Sequence, residues 1–394
     1  MEKPELLAPV GNFTNLKIAI DAGADAVYFG LKDFSLRANA ENFTINDLDK
    51  INEVCKPKKI KKYLTLNSII YNEEIPEVEK ILKKIKGKVD AVICWDMAVI
   101  NLCRKYKIPF HVSTQASVSN YESAEFYKKL GAERIVFARE LNLKQIKEII
   151  KKTKIKAEVF VHGAMCISVS GRCLMSQFLF GKSANRGECI HPCRRSYIVK
   201  DTQEGEEMKI ENSHVLSAKD LCTLPFIEKL KSAGITSFKI EGRNRDPRYI
   251  DTVVRVYRKA LDKKLSEAEL KKLTEELNSV YNKGFSSGFY LGSPTSDDFS
   301  KVEHSSATKR KTFIGKILHY YPKMNVATIK ISSPVKINEK ICIIGQTTGI
   351  VYSEIKSIEV NKKSVSKANK GDEIGIKINS LVRKNDEVYA VREN

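Results

Sequence analysis

Eight short apolar runs alternate with one-sided helical patterns, and this alternation constrains the fold more than any other feature of the chain. The runs lie at 5–10, 26–30, 62–69, 91–96, 110–114, 134–140, 157–163 and 237–243. Between them, apolar residues recur at the i, i+3, i+4, i+7 spacing of amphipathic helices. Eight strand–helix units predict a closed, TIM-like (β/α)8 barrel, with its chemistry at the C-terminal ends of the strands. A doubly wound open sheet is the alternative, but no glycine-rich dinucleotide fingerprint supports it.

A long insertion interrupts the alternation between the seventh and the eighth run. More than 70 residues separate the two runs, and the segment 164–222 holds five of the nine cysteines. Loops that follow barrel strands form the catalytic face, so we expect a cofactor in this insertion. The barrel domain is predicted to cover residues 1–295.

The character of the sequence changes after residue 284. Residues 285–306 are rich in Gly and Ser and are predicted to form a linker. From Thr312 onward, short β-rich runs are separated by turn residues at close intervals. This pattern predicts a small antiparallel β-barrel domain over residues 305–394.

Four cysteines give the strongest chemical signal in the insertion. Their spacing is Cys166-x6-Cys173-x15-Cys189-x3-Cys193. Four thiolates suit zinc or an iron–sulfur cluster. Zinc sites usually use two closely spaced pairs, and here only the last two cysteines form one, so the spacing favours a cluster over zinc. Free structural thiols are the remaining alternative, and Cys222 is a fifth candidate ligand.

The residues around these thiols support a charged centre. We expect four nearby arginines to surround a negatively charged cluster and to raise its potential. They are Arg172, Arg186, Arg194 and Arg195. Four other cysteines lie in apolar patterns and are predicted core thiols: Cys55, Cys94, Cys103 and Cys342.

The charge balance bears on partners and location. Lys and Arg number 68 and Asp and Glu 48, so the net charge is +20, which attracts polyanions such as RNA. Lysines on helix surfaces are the simpler explanation for part of this excess. The N-terminus has no apolar run of signal-peptide length, and no apolar stretch is long enough to span a bilayer. We therefore expect a cytoplasmic protein with no membrane partner, in which clustered cysteines are metal ligands or catalysts.

Polar side chains at the predicted strand ends form a mouth suited to a polar anion. They are Asn67, Asp96, Gln115, Arg139, Glu140, His162, Lys239, Glu241 and Arg243. The planar guanidinium of Arg243 suits a carboxylate. Glu241 could move protons if partly desolvated, and His162 could activate Cys166 as a nucleophile. For each residue a salt bridge or a packed position at the barrel rim is the alternative.

The motifs around these residues resemble those of the collagenase-like peptidase family U32. The similarity rests on "EVFVHGAMCISVSGRCLMS", "NRGECIHPCRRSY", "LSAKDL", "FKIEGR" and "NKGFSSGFYLG" and extends over essentially the whole chain. Despite the family label, the resemblance implies an oxygen-independent hydroxylase. Its branches form 5-hydroxyuridine at the tRNA wobble position, 5-hydroxycytidine in large-subunit rRNA, or hydroxylated quinone precursors. The C-terminal segment is similar to the second domain of translation elongation factors, which implies an RNA partner.

The resemblance also implies a cofactor and a co-substrate. It places a [4Fe–4S] cluster on Cys166, Cys173, Cys189 and Cys193, with prephenate as the hydroxyl source. We therefore predict a tRNA hydroxylase, with an rRNA cytidine hydroxylase or a peptidase as alternatives. The predicted roles are a dicarboxylate clamp of Arg139, Lys239 and Arg243 and an acid/base pair of His162 and Glu241. Whether the chain forms a homo-oligomer or needs a related second subunit is left open.

Overall fold

The computed structural model describes residues 3–38, 40–210 and 216–394. The strands of the first domain are β1 (Glu5–Pro9), β2 (Ala26–Gly30), β3 (Lys61–Thr65), β4 (Ala91–Cys94), β5 (Phe110–Val112), β6 (Arg134–Val136), β7 (Lys156–Gly163), β8 (Tyr197–Lys200), β9 (Glu207–Ile210), β10 (Asp220–Cys222), β11 (Ser237–Ile240) and β12 (Phe285–Ser286). Its helices are α1 (Phe13–Asp21), α2 (Leu48–Cys55), α3 (Ile75–Ile85), α4 (Met97–Tyr106), α5 (Tyr121–Lys129), α6 (Leu143–Thr153), α7 (Met175–Phe180), α8 (Ile227–Lys231), α9 (Pro247–Asp262) and α10 (Glu267–Asn278).

Eight of these strands form a closed parallel barrel. Strands β1 to β7 pair in sequence order, and β11 pairs in parallel with both β7 and β1, which closes the sheet. Each barrel strand lies within or beside one of the eight apolar runs. The predicted (β/α)8 barrel is therefore confirmed, and the open-sheet alternative is wrong.

The barrel helices begin at side chains that satisfy free backbone N–H groups. Six helices have an N-terminal Asn, Asp or Ser whose side-chain oxygen accepts a backbone hydrogen bond from the first turn. These caps are Asn12, Asp96, Asn120, Asn142, Asp246 and Ser266. Asp96, predicted as part of the polar mouth, thus starts α4, because its carboxylate accepts the N–H of Ala98 at 2.8 Å.

The insertion adds a short sheet extension to the barrel. Strand β10 pairs antiparallel with β7 and parallel with β12, and β8 and β9 form a separate hairpin. The Gly/Ser-rich segment does more than link domains, because it packs along this extension. The N–H of Ser300 donates to the carbonyl of Ser217 at 2.7 Å, and Tyr290 donates its hydroxyl to the carbonyl of Phe160 at 2.6 Å.

The C-terminal domain is antiparallel and has its own apolar core. Its strands are β13 (Lys309–Tyr321), β14 (Val326–Ile331), β15 (Val335–Lys336), β16 (Lys340–Gly345), β17 (Gly349–Glu354), β18 (Ile358–Val360), β19 (Lys363–Val365), β20 (Lys367–Ala368), β21 (Glu373–Lys377) and β22 (Glu387–Glu393). Eight of them form a sheet in the order β17-β16-β22-β13-β14-β21-β18-β19. Strand β17 contacts the barrel, where Tyr352 donates its hydroxyl to Asp251 of α9 at 3.0 Å.

Charged side chains fill the N-terminal part of the barrel interior, which we call the lower layer. Arg134 Nη1 lies 2.6 Å from a Glu5 oxygen and 3.0 Å from a Glu158 oxygen. Lys239 Nζ lies 2.9 Å from the other Glu158 oxygen. Burial alone would raise the pKa of Glu158, but Lys239 and Arg134 lower it overall, so this carboxylate stays ionised.

Candidate functional site

A cavity of about 130 Å³ lies at the C-terminal ends of the barrel strands. The barrel contributes Tyr28, Arg37, Thr65, Asn67, Gln115, Arg139, Phe160, Lys239, Glu241 and Arg243. The insertion contributes Met165, Cys166, Cys173, Met175, Cys189, His191, Cys193 and Arg194. The cavity therefore occupies the face on which a barrel of this type carries its chemistry.

All four cysteines of the motif line this cavity as free thiols. Two of them accept hydrogen bonds from the start of α7. The Met175 N–H donates to Cys173 Sγ at 3.4 Å, and the Ser176 hydroxyl donates to Cys189 Sγ at 3.8 Å. Burial raises the pKa of the Cys193 thiol, and the other three thiols add to this rise. The four sulfurs thus belong to one electrostatic environment.

The number and type of the donors around the cavity suit an iron–sulfur cluster. In the described part of the chain, no three His, Cys, Asp or Glu side chains stand close enough together to hold one metal ion. Zinc would need sulfurs at about 2.3 Å from the metal, hence within about 4 Å of one another. A [4Fe–4S] cluster binds each thiolate to a different iron and accepts a wider ring, and hydrogen bonds to its sulfurs tune its potential. Four thiols that line one cavity match this cluster in donor type and number.

The four arginines of the insertion have separate roles. Arg194 lines the cavity, donates to the carbonyl of Met165 at 2.9 Å and opposes the rise in the pKa of Cys193. The other three are not among the lining residues, and each has a contact elsewhere. Arg186 pairs with Glu74 and ties the insertion to the barrel. Arg172 and Arg195 lie over aromatic rings.

The structure does not bring His162 and Cys222 to the cavity. His162 is 1% exposed, and its ring packs against Tyr249, Tyr257 and Phe285 at centroid distances of 6.0, 5.5 and 5.4 Å. Burial lowers the pKa of His162 to about 3, so its ring is neutral. Cys222 lies opposite His162 on β10, and burial raises the pKa of its thiol to about 11. Both residues thus pack behind the site and do not face its ligand.

Arg243 lies in the cavity wall, held by hydroxyl groups. Its Nη1 donates to Ser35 Oγ at 2.8 Å and to Thr65 Oγ1 at 3.0 Å. Gly30 permits this approach, because a Cβ at that position would lie 2.2 Å from Nη1. Among the described residues, no carboxylate lies within 4 Å of the guanidinium. Burial lowers the pKa of Arg243 to about 10, which shows the cost of holding this charge away from water.

The other two predicted clamp residues also line the cavity but have partners. Arg139 lies with its guanidinium 3.9 Å above the Phe160 ring and donates to the carbonyl of Ala164 at 2.8 Å. Lys239 pairs with Glu158 of the lower layer. Lys239 therefore connects the lower layer to the cavity floor, whereas Arg139 and Arg243 carry charge along its wall.

Glu241 is the one carboxylate among the described lining residues. It accepts two hydrogen bonds from Arg37, at 2.7 and 3.2 Å. Burial alone would raise its pKa, but Arg37, Arg139 and Arg243 lower it to about 2. An ionised Glu241 can accept hydrogen bonds and orient Arg37, but at neutral pH it has no proton to give.

Sequence reasoning missed several lining residues, among them Arg37 and His191. Arg37 comes from the loop after β2, and no sequence pattern pairs that loop with Glu241. His191 lies inside the cysteine motif, between Cys189 and Cys193, so its position did carry a signal. Of the remaining polar strand-end residues, Asn67 and Gln115 line the cavity, and Glu140 is exposed outside it.

The sequence matches the profile of Peptidase family U32 over residues 11–300. The chain belongs to this family. One U32 relative, named a collagenase of Porphyromonas gingivalis, is 39% identical over 98% of this chain and 97% of its own. A tRNA hydroxylation protein of Bacillus subtilis is 36% identical over 84% of this chain and 80% of its own. A 23S rRNA 5-hydroxycytidine synthase of Escherichia coli is 38% identical over 67% of this chain and 40% of its own.

These U32 relatives indicate that the chain is an enzyme, although their names divide between hydrolysis of protein and hydroxylation of RNA. In the described part of the chain, none of the helices combines the length and the apolar character needed to cross a membrane.

Proposed function

We propose that this protein is an oxygen-independent RNA hydroxylase that uses a [4Fe–4S] cluster and a dicarboxylate co-substrate. The observation that carries the proposal is the shared cavity: four thiols and four arginines line it, and Glu241 is the one carboxylate among its described lining residues. Lys239 also lines it, but Glu158 neutralises its charge. A peptidase needs neither four thiolates nor this excess of cations. The most specific form of the proposal is 5-hydroxyuridine formation at the tRNA wobble position, with prephenate as the hydroxyl source.

The thiols would hold the cluster, and the protein would supply its surroundings. Held by Cys166, Cys173, Cys189 and Cys193, a cluster would supply electron transfer next to the substrate. Hydrogen bonds from Met175 and Ser176 would tune its potential, and Arg194 would offset negative charge at the sulfurs.

The cations would bind and orient the dicarboxylate. Arg243 can grip a carboxylate with two parallel N–H···O bonds while Ser35 and Thr65 keep its plane fixed. Arg139 adds a second positive charge on the same wall. Glu241 would hold Arg37 in place, as its low pKa keeps it ionised. Glu241 was predicted to act as an acid or base. In this proposal it only accepts hydrogen bonds and orients Arg37.

The RNA partner is supported by charge and by the relatives. The net charge of +20 favours a polyanionic substrate, and its binding would weaken steeply as salt rises. The names of two relatives specify tRNA and rRNA substrates, so an rRNA cytidine is the second candidate target within the same chemistry.

The peptidase alternative rests on the name of the collagenase relative. A cysteine peptidase needs a thiol activated by a histidine. His162, the histidine considered for this role, packs among aromatic rings outside the cavity. His191 does line the cavity, but burial lowers its pKa to about 4, so its ring is a weak base and the geometry supports hydrolysis less well than hydroxylation.

Anaerobic purification followed by RNA analysis tests the proposal. We expect about four irons and four sulfides per chain, with the broad visible absorption of an iron–sulfur centre. In a strain lacking the gene, wild type should restore a hydroxylated nucleoside detected by mass spectrometry, and Cys189→Ala should not. Cys222→Ala is the matched control and should retain iron and product. One bound zinc without iron, or product formation by Cys189→Ala, would contradict the proposal.

A further inference from the structure

Large apolar side chains are exposed at high density on the insertion. Of seventeen such exposed side chains among the described residues, eight lie between 167 and 208. The most exposed is Phe178 of α7, at 83%, and its neighbour Leu179 is 51% exposed. Exposed apolar surface at this density marks an interaction site.

Helix α7 carries this surface directly beside the cavity. Met175 lines the cavity, and the buried Ser176 contacts Cys189. At about 100° per residue, Phe178 points about 200° away from Ser176, toward solvent. A helix with its side chains is about 10 Å across, so a group packed on Phe178 would sit on the order of 10 Å from the thiols. Phe178 therefore lies at the rim of the cavity and faces outward.

The segment that carries this helix has an excess of positive charge. Residues 171–200 contain six Lys and Arg and one Glu. Three of these cations pair with glutamates, namely Lys182, Arg186 and Lys200. Arg195 is exposed and lies with its guanidinium 4.4 Å from the centroid of the Phe180 ring. An aromatic face combined with a guanidinium is the arrangement on which unpaired bases stack while phosphates are neutralised.

We propose that α7 binds single-stranded RNA, with Phe178 as the stacking platform for a nucleotide next to the target base and the Phe180–Arg195 pair as a second contact on another side of the helix. This inference rests on the proposed function for its RNA substrate and names the surface that binds it. A second copy of the chain suits the surface less well, because self-association would bring two basic segments together. Phosphates and unpaired bases satisfy both its charge and its aromatic faces.

Binding of a fluorescently labelled RNA stem–loop to the anaerobically purified full-length protein tests the surface. Phe178→Ala should weaken binding about ten-fold, the range expected for loss of one base–aromatic stack. Phe178→Leu should behave like Phe178→Ala, because it keeps an apolar group but removes the π-face. Phe178→Tyr should bind like wild type. Phe126→Ala is the matched control, because Phe126 is an exposed phenylalanine of α5 on the outside of the barrel, and it should change nothing.

The salt dependence of RNA binding distinguishes base stacking from electrostatic attraction. Raising the salt concentration should weaken RNA binding by every variant. The ratio of the RNA affinities of wild type and Phe178→Ala should stay constant, because stacking releases no counterions. Equal RNA binding by wild type and Phe178→Ala, or full binding by Phe178→Leu, would overturn the inference and leave the proposed function standing. A wild-type dimer that Phe178→Ala converts to a monomer, measured by light scattering, would assign the surface to a second copy instead. Absence of RNA binding by wild type would contradict the proposed function as well.

Discussion

Two polar layers inside one barrel differ in how their charges are balanced. The lower layer is closed: two carboxylates face two cations at hydrogen-bonding distance. These are Glu5 and Glu158 with Arg134 and Lys239. The upper layer, at the cavity, has a single ionised carboxylate, Glu241, against three arginines that lower its pKa.

From this difference we propose that the lower layer maintains the fold and the upper layer binds a ligand. Buried charges are tolerated when each has a partner, and removing one partner is costly. The lower layer meets this condition within the chain. The upper layer keeps a surplus of positive charge, and Arg243 has hydroxyl partners only among the described residues. A ligand with two negative charges would neutralise this surplus, and we therefore propose that the upper layer binds the substrate.

The largest effect is expected in the lower layer. Glu158→Ala would leave Arg134 and Lys239 buried without their shared carboxylate, so the free energy of unfolding should fall by about 3–5 kcal/mol. Denaturant unfolding measures the loss. Exposed Glu140→Ala is the control and should change stability by less than about 0.5 kcal/mol. A Glu158→Ala protein as stable as wild type would remove the distinction between the two layers.

An effect that appears only on acidification distinguishes His162 from the cavity groups. An unfolded histidine binds a proton below pH 6.5, whereas folded His162, with a pKa of about 3, stays neutral. Its contribution to stability is therefore complete above pH 6.5 and is lost as the pH falls toward 3, by about 1.4 kcal/mol per pH unit. His162→Gln should flatten this part of the curve of unfolding free energy against pH. If the curves of the two proteins have the same shape, burial does not lower the pKa of His162. That result would contradict its position among the aromatic rings.

The smallest effect on stability is expected for Arg243. Arg243→Gln, measured without ligand, should change the free energy of unfolding by less than about 1 kcal/mol, because Glu241 keeps its two hydrogen bonds from Arg37. Relief from holding a buried charge offsets the lost hydrogen bonds. Chemical denaturation alongside Glu158→Ala gives the comparison. A loss of about 3 kcal/mol or more would make Arg243 a structural residue like those of the lower layer.

The sequence predicted the barrel because each strand and helix has its own local pattern. The spacing of the cysteines likewise pointed to one site. The lower layer was not predicted, since a single charge within an apolar run, such as Glu158 in "AEVFVHG", does not identify its partner on another strand. Barrel closure creates those pairs, and no local pattern encodes them.

The candidate site was predicted only in part, because local patterns do not show which distant residues meet. Arg243 and Glu241 were found because they follow a strand, and loops after strands meet at one face. Arg37 was missed because only the packing of the loop after β2 brings it to Glu241. His162 also follows this rule of strand ends, but its side chain points into the aromatic contacts behind the barrel wall.

Calorimetric titration with prephenate tests the central claim, that the surplus charge of the upper layer binds a dicarboxylate. Wild type should bind prephenate, and a monocarboxylate of similar size should bind at least about ten-fold more weakly, because one charged hydrogen-bonded pair is lost. Arg243→Gln should weaken prephenate binding by a similar factor, with iron content and RNA affinity unchanged. Equal affinity for the two ligands, or for the two proteins, would contradict the account.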